Sequence, residues 1–514
     1  MRHIDSLLDR QLKTRPEGAA LVDTLGACWS YGELGEAVDE LAEAMSDVGV
    51  KSNDRVMILL ENCALVVASV FACARLGAAI VPVNARQSNP EVDRVIDHAD
   101  PVLILFTSAV SDEARGHGER LRAEPMPGSL EQIFNANHWL IRRSGPDAVL
   151  DDVATILYTT GTTGTPKGVM LTHNNLCFAG AVSAETRGLR PDDEAYGVLP
   201  ISHVFGLASV VTACIGVGAK IRLAPRFTPK GLYDALISGV TVLSAVPQMH
   251  ALLMQYAKEQ GYVSLPTETL RYVSSGAAPL DPDWKRRAEA FFGIPVQNGY
   301  GMTEASAGIC LTAHKDSNPD ISVGKPFPGV EIRLDETARG AGDGVGEVQV
   351  SGGGVMKGYY RNDLETEKVF CEDGWLRTGD LGRIDAEGNL HIVGRSKELI
   401  IHGGFNVYPP EVEAALNDHP KVIQCAVVGH RVEGDEKVYA FVEASPEDWP
   451  QIEDIQAFVA KRLAGYKRPS RIILTEHLPA AATGKILKHR LGELLEPKIG
   501  DRPQLKTMEY SSRS

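Results

Sequence analysis

Residues 158–168 read YTTGTTGTPKG, between the strand-like VATILY (153–158) and the apolar VMLTH (169–173). A stretch so poor in apolar side chains cannot lie in a core. Three readings compete for it. A flexible Gly/Thr linker fits the composition but not the tight apolar flanks. A Walker A loop requires GxxxxGK[ST]; from Gly161 the chain runs GTTGTPKG, with no GK dipeptide and no Ser or Thr after Lys167. What remains is another kind of phosphate-embracing loop. Its glycines let backbone approach an anion, its N–H groups and threonine hydroxyls donate, and Lys167 adds a point charge.

Outward from that stretch, residues 30–300 alternate helical and strand-like segments. YGELGEAVDELAEAMSDVGV has helical apolar spacing and ends at Gly49, and DRVMILL reads as a short buried strand. A helix is expected over 64–76, and strands at AAIVPV, PVLILFT, ATILYT, IRLAP, VTVLSAVP and LRYVSSG. That grammar predicts an α/β domain of largely parallel sheets with helices. Beyond about 320 the pattern turns to short strands with Gly-rich turns (GVEIRLD, GEVQVSGGG, GWLRTGDLGRIDAEGNLHIVG), which predicts an antiparallel, β-barrel-like subdomain. From 397 a compact mixed segment predicts a small α+β domain, so the boundary falls between 1–396 and 397–514.

The length of 514 residues exceeds the roughly 250–300 at which single cores stop growing, in keeping with two domains. A formal charge of −15 disfavours nucleic acid and anionic membrane surfaces as bulk partners. The eight cysteines form no CxxC pair, which points to reduced buried thiols and a cytoplasmic setting. The N-terminus lacks the apolar core of a signal peptide, and the most apolar run is interrupted by Arg75 and Gly77, so no membrane span is expected.

Further polar motifs sharpen the phosphate reading. In QNGYGMTE (297–304) a tyrosine between glycines can lie along a planar base, a threonine can bond a phosphate, and Glu304 can help hold Mg²⁺. SSGAAP (274–279) is a strand-to-turn of small residues open to a flat ring. WLRTGDLGRID sets Asp380 at a strand end, where a carboxylate can accept from two ribose hydroxyls. Then come GRSKELI with Arg395 and Lys397, GGFNVYPPEVE with a helix starting near Pro410, and AATGKILK with Lys485. Singly each is an ordinary turn or surface charge; together, in this order, chance is a poor explanation.

The ordered set YTTGTTGTPKG, QNGYGMTE, WLRTGDLGRID, GRSKELIIHGGFNVYPPEVE and ATGKILK resembles the signature motifs of the adenylate-forming superfamily of acyl-CoA synthetases, adenylation domains and luciferases, from about residue 10 to 495. The resemblance implies that Thr159, Thr160, Gly161, Thr162, Thr163, Gly164 and Lys167 bind the β- and γ-phosphates of ATP. Gly276, Ala277, Asn298 and Tyr300 would form the adenine site, Thr303 would touch the α-phosphate, and Glu304 would bind Mg²⁺. Asp380 and Arg395 would hold the ribose, and Lys397 would be the hinge of a mobile C-terminal domain whose Lys485 is catalytic. Gly403 and Gly404 would line the pantetheine tunnel of coenzyme A, and His203 in LPISHVFG would be the gate beside the acyl pocket. Ser202 stands where an aromatic residue usually precedes that histidine, and Thr160 where serine is commoner.

The same resemblance implies an AMP-forming ligase that joins a carboxylic acid to CoA through an acyl-adenylate, with ATP, Mg²⁺ and coenzyme A, working as a monomer or homodimer. The expected acyl-pocket segments, 203–210, 245–250, 274–279 and 300–309, contain no arginine, which favours a monocarboxylic acid, fatty or aromatic, phenylpropenoic acids included. An enzyme that loads a carrier protein instead of CoA is the alternative.

Overall fold

The computed structural model describes residues 3–135, 137–142, 144–159, 167–277, 280–312, 320–403, 405–432, 435–480, 486–494 and 507–509. Two large sheets dominate it, and helices cover them. One has nine strands; its centre is the parallel set Val296–Tyr300, Tyr272–Gly276, Val242–Ala245, Glu194–Gly197, Lys220–Leu223 and Ala19–Val22. The other has eight strands built on the parallel neighbours Val153–Thr159, Ala79–Asn84, Arg55–Leu60 and Leu103–Phe106. The α/β expectation for 30–300 therefore holds, with antiparallel strands added at the sheet edges.

Local sequence explains the elements that hold this frame. The helix Tyr31–Asp47 opens on a capping box in which Ser30 and Glu33 satisfy each other's backbone N–H groups. Its buried residues Leu34, Val38, Leu41 and Met45 recur at helical spacing and form one stripe. The helix Ala64–Leu76 is buried on all sides and stops at Gly77, which adopts φ +66°. Strand Arg55–Leu60 is buried at every position, as a central parallel strand covered on both faces must be. Pro82 sits within Ala79–Asn84, in register with Ile58; toward Val153–Thr159 the one registered pair is Ile80 with Thr155, which fits the proline's missing N–H.

The opening stretch lies at one edge of the eight-stranded sheet. Val153–Thr159 and Lys167–Thr172 are antiparallel partners, and Thr159 faces Lys167 across the ladder. Residues 160–166 connect them and lie outside the described residues. A βα phosphate loop would lead from strand to helix; here the chain turns back into a second strand.

Beyond 320 the expected antiparallel subdomain is a four-stranded sheet of Val330–Asp335, Gly346–Gly352, Leu376–Ile384 and Leu390–Arg395, in sequence order. It ends at Arg395, and the next strands, Ile400–His402 and Phe405–Val407, form a separate hairpin. A second four-stranded sheet follows, starting with Gln424–Val432 and Asp435–Glu443. The helices Pro409–Asn417 and Ile452–Ala460 pack against its core of Val412, Leu416, Val427, Val438, Ile455 and Ile472. The C-terminal segment thus has its own core.

Candidate active site

The site forms at the carboxyl ends of Val242–Ala245, Tyr272–Gly276 and Val296–Tyr300, where parallel strands leave their last backbone groups and loops free to meet a ligand. Gly276 and Gly299 are in register at the tips of neighbouring strands. Ala277 follows with φ +67°, a left-handed conformation that is strained for an alanine. Gly301 cannot be anything larger, since a Cβ there would lie 1.4 Å from the carbonyl oxygen of Ala307. That close approach folds residues 301–307 into a tight turn that presents Thr303 and Glu304.

Three expected residues come together as one network. The Tyr300 hydroxyl donates to Asp380 Oδ2 at 2.6 Å, and Arg395 Nε lies 3.1 Å from Asp380 Oδ1. The fold achieves this by pairing Asp380 and Arg395 across two antiparallel strands and setting their sheet against the tip of Val296–Tyr300. Asp380 is only 5% exposed, so its charge depends on these partners. Burial, and then the neighbouring Asp380 carboxylate, push the Tyr300 phenol far up, so it remains a donor. Asp380 raises the Arg395 pKa in turn.

Asn298 spends its amide protons within the protein. Its Nδ2 donates to the carbonyls of Ile321 and Ser322, and its N–H donates to Thr312. It braces the wall beside the expected adenine site.

The expected phosphate side is built from residues far apart in sequence. Glu304 accepts a hydrogen bond from the Tyr359 hydroxyl at 2.8 Å through Oε1. Tyr359 is brought there because Gly358–Tyr359 pairs with Lys167–Thr172. Lys167 Nζ lies 4.9 Å from the centre of the Tyr359 ring and donates to Glu365 Oε2. Hydrogen bonds from Lys167 and Lys368 hold the Glu365 carboxyl down to about 2. A lysine, a threonine and a carboxylate that is in no ion pair among the described residues are a donor set that fits a polyphosphate with Mg²⁺ at Glu304. Thr303, beside Glu304, is buried.

His203 caps the short helix Val204–Gly206, its Nδ1 accepting from the Phe205 N–H at 3.3 Å. The π-helical segment Leu207–Thr212 follows directly. Gly403 turns the hairpin between Ile400–His402 and Phe405–Val407 with φ +57°. Lys397 is exposed in the turn between Arg395 and Ile400, and the Glu398 N–H bonds the Arg395 carbonyl there. Thr160, Gly161, Thr162, Thr163, Gly164, Gly404 and Lys485 lie outside the described residues. Among the described residues, Ala480 and Ile486 form a bridge, and Lys488 Nζ bonds Glu398 at 2.7 Å and Glu413 at 2.9 Å.

Sequence reasoning missed Tyr359, Glu365 and Lys488. Asn362 does carry a readable signal, since its side chain caps the helix Asp363–Val369 and so puts Glu365 in the first turn. Nothing local announces that this turn meets Lys167, 198 residues away.

Comparison with known proteins agrees with this geometry. The profile of the family described as AMP-binding enzyme matches residues 8–360, and that of the AMP-binding enzyme C-terminal domain matches 411–485. A 2-succinylbenzoate–CoA ligase of Bacillus mycoides (strain KBAB4) is 34% identical over 477 residues, 91% of this chain and 94% of that protein. A feruloyl-CoA synthase of Amycolatopsis sp is 33% identical over 476 residues, 90% and 93% of the two chains. Among solved structures, ATP-bound MatB from Rhodopseudomonas palustris superposes with a TM-score of 0.83 at 29% identity, covering 96% of this chain and 99% of that one. The o-succinylbenzoate CoA synthetase MenE from Bacillus subtilis, solved with its acyl-adenylate OSB-AMP, gives 0.81 at 28% identity with the same coverage. With both profiles matched in order and relatives aligned along nine-tenths of its length, the chain belongs to the adenylate-forming family of AMP-binding enzymes.

Proposed function

We propose that the protein is an AMP-forming carboxylic acid–CoA ligase that adenylates an aromatic or phenylpropenoic monocarboxylic acid and passes the acyl group to coenzyme A in the cytoplasm. One observation carries the reading: the network Tyr300–Asp380–Arg395 and the network Lys167–Tyr359–Glu304 start four residues apart, at Tyr300 and Glu304, just past the end of the strand Val296–Tyr300. The relatives named as CoA ligases, aligned along nearly the whole chain, favour CoA over a carrier protein as acceptor. Among the described residues no helix is long and apolar enough to cross a membrane.

In the first half-reaction a carboxylate attacks the α-phosphorus of ATP and pyrophosphate leaves. Two anions must be brought together, so positioning and fixed positive charge carry the catalysis. Lys167 and the loop after Thr159 hold the departing pyrophosphate, and Asp380, braced by Tyr300 and Arg395, accepts from the ribose hydroxyls. Mg²⁺ at Glu304 would neutralise charge on the phosphates. Lys485 bridges the carboxylate and the α-phosphate. In the second half-reaction the segment 397–514 turns about Lys397, withdraws Lys485 and brings Gly403 and Gly404 to line the path of the thiol, a hinge use of one domain.

The test is pyrophosphate release by purified protein against aromatic and fatty acids, with and without CoA. Acid-dependent release that rises with CoA and yields an acyl-CoA thioester supports the reading. Acid-dependent ATP–pyrophosphate exchange without CoA turnover would replace it with the carrier-loading alternative. No acid-dependent exchange at all would refute both.

A further inference from the structure

Tyr359 is 4% exposed, and its side chain touches two residues of the expected phosphate side, Glu304 and Lys167. Strand register explains how. Gly358–Tyr359 pairs antiparallel with Lys167–Thr172, with Tyr359 opposite Val169 and Gly358 opposite Met170. Lys167 lies two residues from Val169 on the same face of its strand, which makes it the diagonal neighbour of Tyr359. Its Nζ comes to 4.9 Å from the ring centre, within the range at which a ring face attracts an ammonium. Glu304 arrives from a different element, the short turn just past the end of Val296–Tyr300. The Tyr359 hydroxyl donates to its Oε1 at 2.8 Å.

Two features separate Tyr359 from a core tyrosine whose hydroxyl has found the nearest acceptor. The hydroxyl is not needed to hold the turn, because the Met356 N–H already donates to the Glu304 carbonyl at 2.9 Å. The Lys357 and Tyr360 N–H groups likewise tie the segment to the carbonyls of Met170 and Gly168. The second feature is that the hydroxyl engages Glu304 through Oε1 alone, and Oε2 has neither hydrogen bond nor ion pair among the described residues. A carboxylate fixed through one oxygen and open at the other is the arrangement that outer-shell donors give to metal ligands. Lys167 is treated in a similar way. Glu365 accepts from its ammonium, which has three protons to donate, while the ring steadies the charge and takes none of them.

We infer that Tyr359 is a positioning residue for ATP with Mg²⁺: its hydroxyl holds Glu304 so that one carboxylate oxygen is left for the metal, and its ring seats Lys167 for the phosphates. One rigid side chain thereby sets the spacing between two ligand groups that sit on separate elements. An aromatic ring has no flexible stem, so both groups are held before the nucleotide arrives, which is preorganisation of a charged site. The hydroxyl acts on the metal-dependent part of ATP affinity, and the ring acts on the part that needs no metal. This inference rests on the ligase reading, in which Glu304 and Lys167 meet the same triphosphate.

Two variants of the full chain test it, with ATP affinity measured by calorimetry at saturating Mg²⁺ and again in EDTA. Tyr359→Phe keeps the ring and removes the hydroxyl. It should weaken ATP binding in Mg²⁺ by roughly ten- to hundredfold, the usual cost of losing an outer-shell donor, and leave binding in EDTA unchanged. Tyr359→Leu should show that loss and also weaken binding in EDTA by roughly two- to tenfold, the scale of one cation–π contact. In a Glu304→Gln background Tyr359→Phe should cost nothing further, because its route to the metal is gone. A purely structural hydroxyl would weaken ATP alike with and without Mg²⁺, and that result overturns the inference. Further loss in the Glu304→Gln background overturns it too, and unchanged EDTA binding by Tyr359→Leu overturns the part given to the ring. So does a Mg²⁺ gain fully retained in Tyr359→Phe, or a wild type, which needs no variant to fold, that binds ATP equally in both conditions. Each of these leaves the ligase reading standing. Failure of wild type to bind ATP in either condition overturns both.

Discussion

Replacing Tyr300 with phenylalanine removes one oxygen from the proposed ribose side of the site and leaves the ring in place. That oxygen donates to Asp380 Oδ2 at 2.6 Å, and Asp380 is 5% exposed. A buried carboxylate that loses such a donor forfeits about 1.5–3 kcal/mol, the usual worth of a hydrogen bond to a charged group. Arg395 Nε remains on the other oxygen and is half exposed. If Asp380 holds the ribose, the loss falls mainly on ATP binding, and kcat/KM for ATP should drop about 10- to 100-fold with most of the change in KM. ATP–pyrophosphate exchange at saturating acid reads this directly, and a thermal melt reads the stability cost separately. A lower melting temperature with an unchanged KM would show that Asp380 is structural and does not meet the nucleotide. An unchanged melt and an unchanged KM would refute the claim that the phenol holds Asp380 at all.

Other outcomes follow from the same contacts. Glu365→Gln should lower the KM for ATP, because Lys167 is paired with Glu365 and must leave it to meet phosphate; a raised KM would mean the pair positions the lysine for ATP. Lys488→Met should slow adenylation far more than CoA thioester formation from supplied acyl-adenylate, since Lys488 ties the chain just after Lys485 to Glu398 and Glu413; Lys485→Ala should show the same split more strongly, and equal loss in both single-turnover assays would refute it. The Asp418 carboxyl is pushed up to about 6 by burial and then by Asp281 at the start of the helix Pro282–Phe292, with Arg462 and Arg287 opposing. Folded protein therefore binds more protons here than the unfolded chain between about pH 4 and 6, so stability should fall as pH rises through that window and level off above it. Melting temperatures from pH 4.5 to 7 should lose that slope in Asp418→Asn; a slope that persists assigns it to another group.

Sequence order exposed the fold because its signals are local. Ser30 with Glu33 announces a helix start, Gly49 and Gly77 announce ends, and the unbroken apolar run of Val56–Leu60 announces a strand buried on both faces. The expected ligand residues Lys167, Glu304, Asp380 and Arg395 stand out for a related reason, since each sits in a glycine-marked turn or strand end. Their partners were not legible. A buried or crowded charge is completed by whichever element the fold lays opposite it, and that element carries no mark of its own. Tyr359 reaches Glu304 only because a two-residue strand pairs with Lys167–Thr172. Asn298 has the right residue type to read a base, but its amide protons are taken by Ile321 and Ser322, which approach only in the folded chain. The acyl pocket shows the limit most clearly. Its expected segments contain no arginine, and a sequence reading stops at an apolar wall. The break in α-helical hydrogen bonding over Leu207–Thr212 leaves the Ser209 carbonyl facing the end of a neighbouring helix, and Arg187 comes in from that helix to meet it. A backbone irregularity, which no residue pattern encodes, is what gives this buried cation its acceptor.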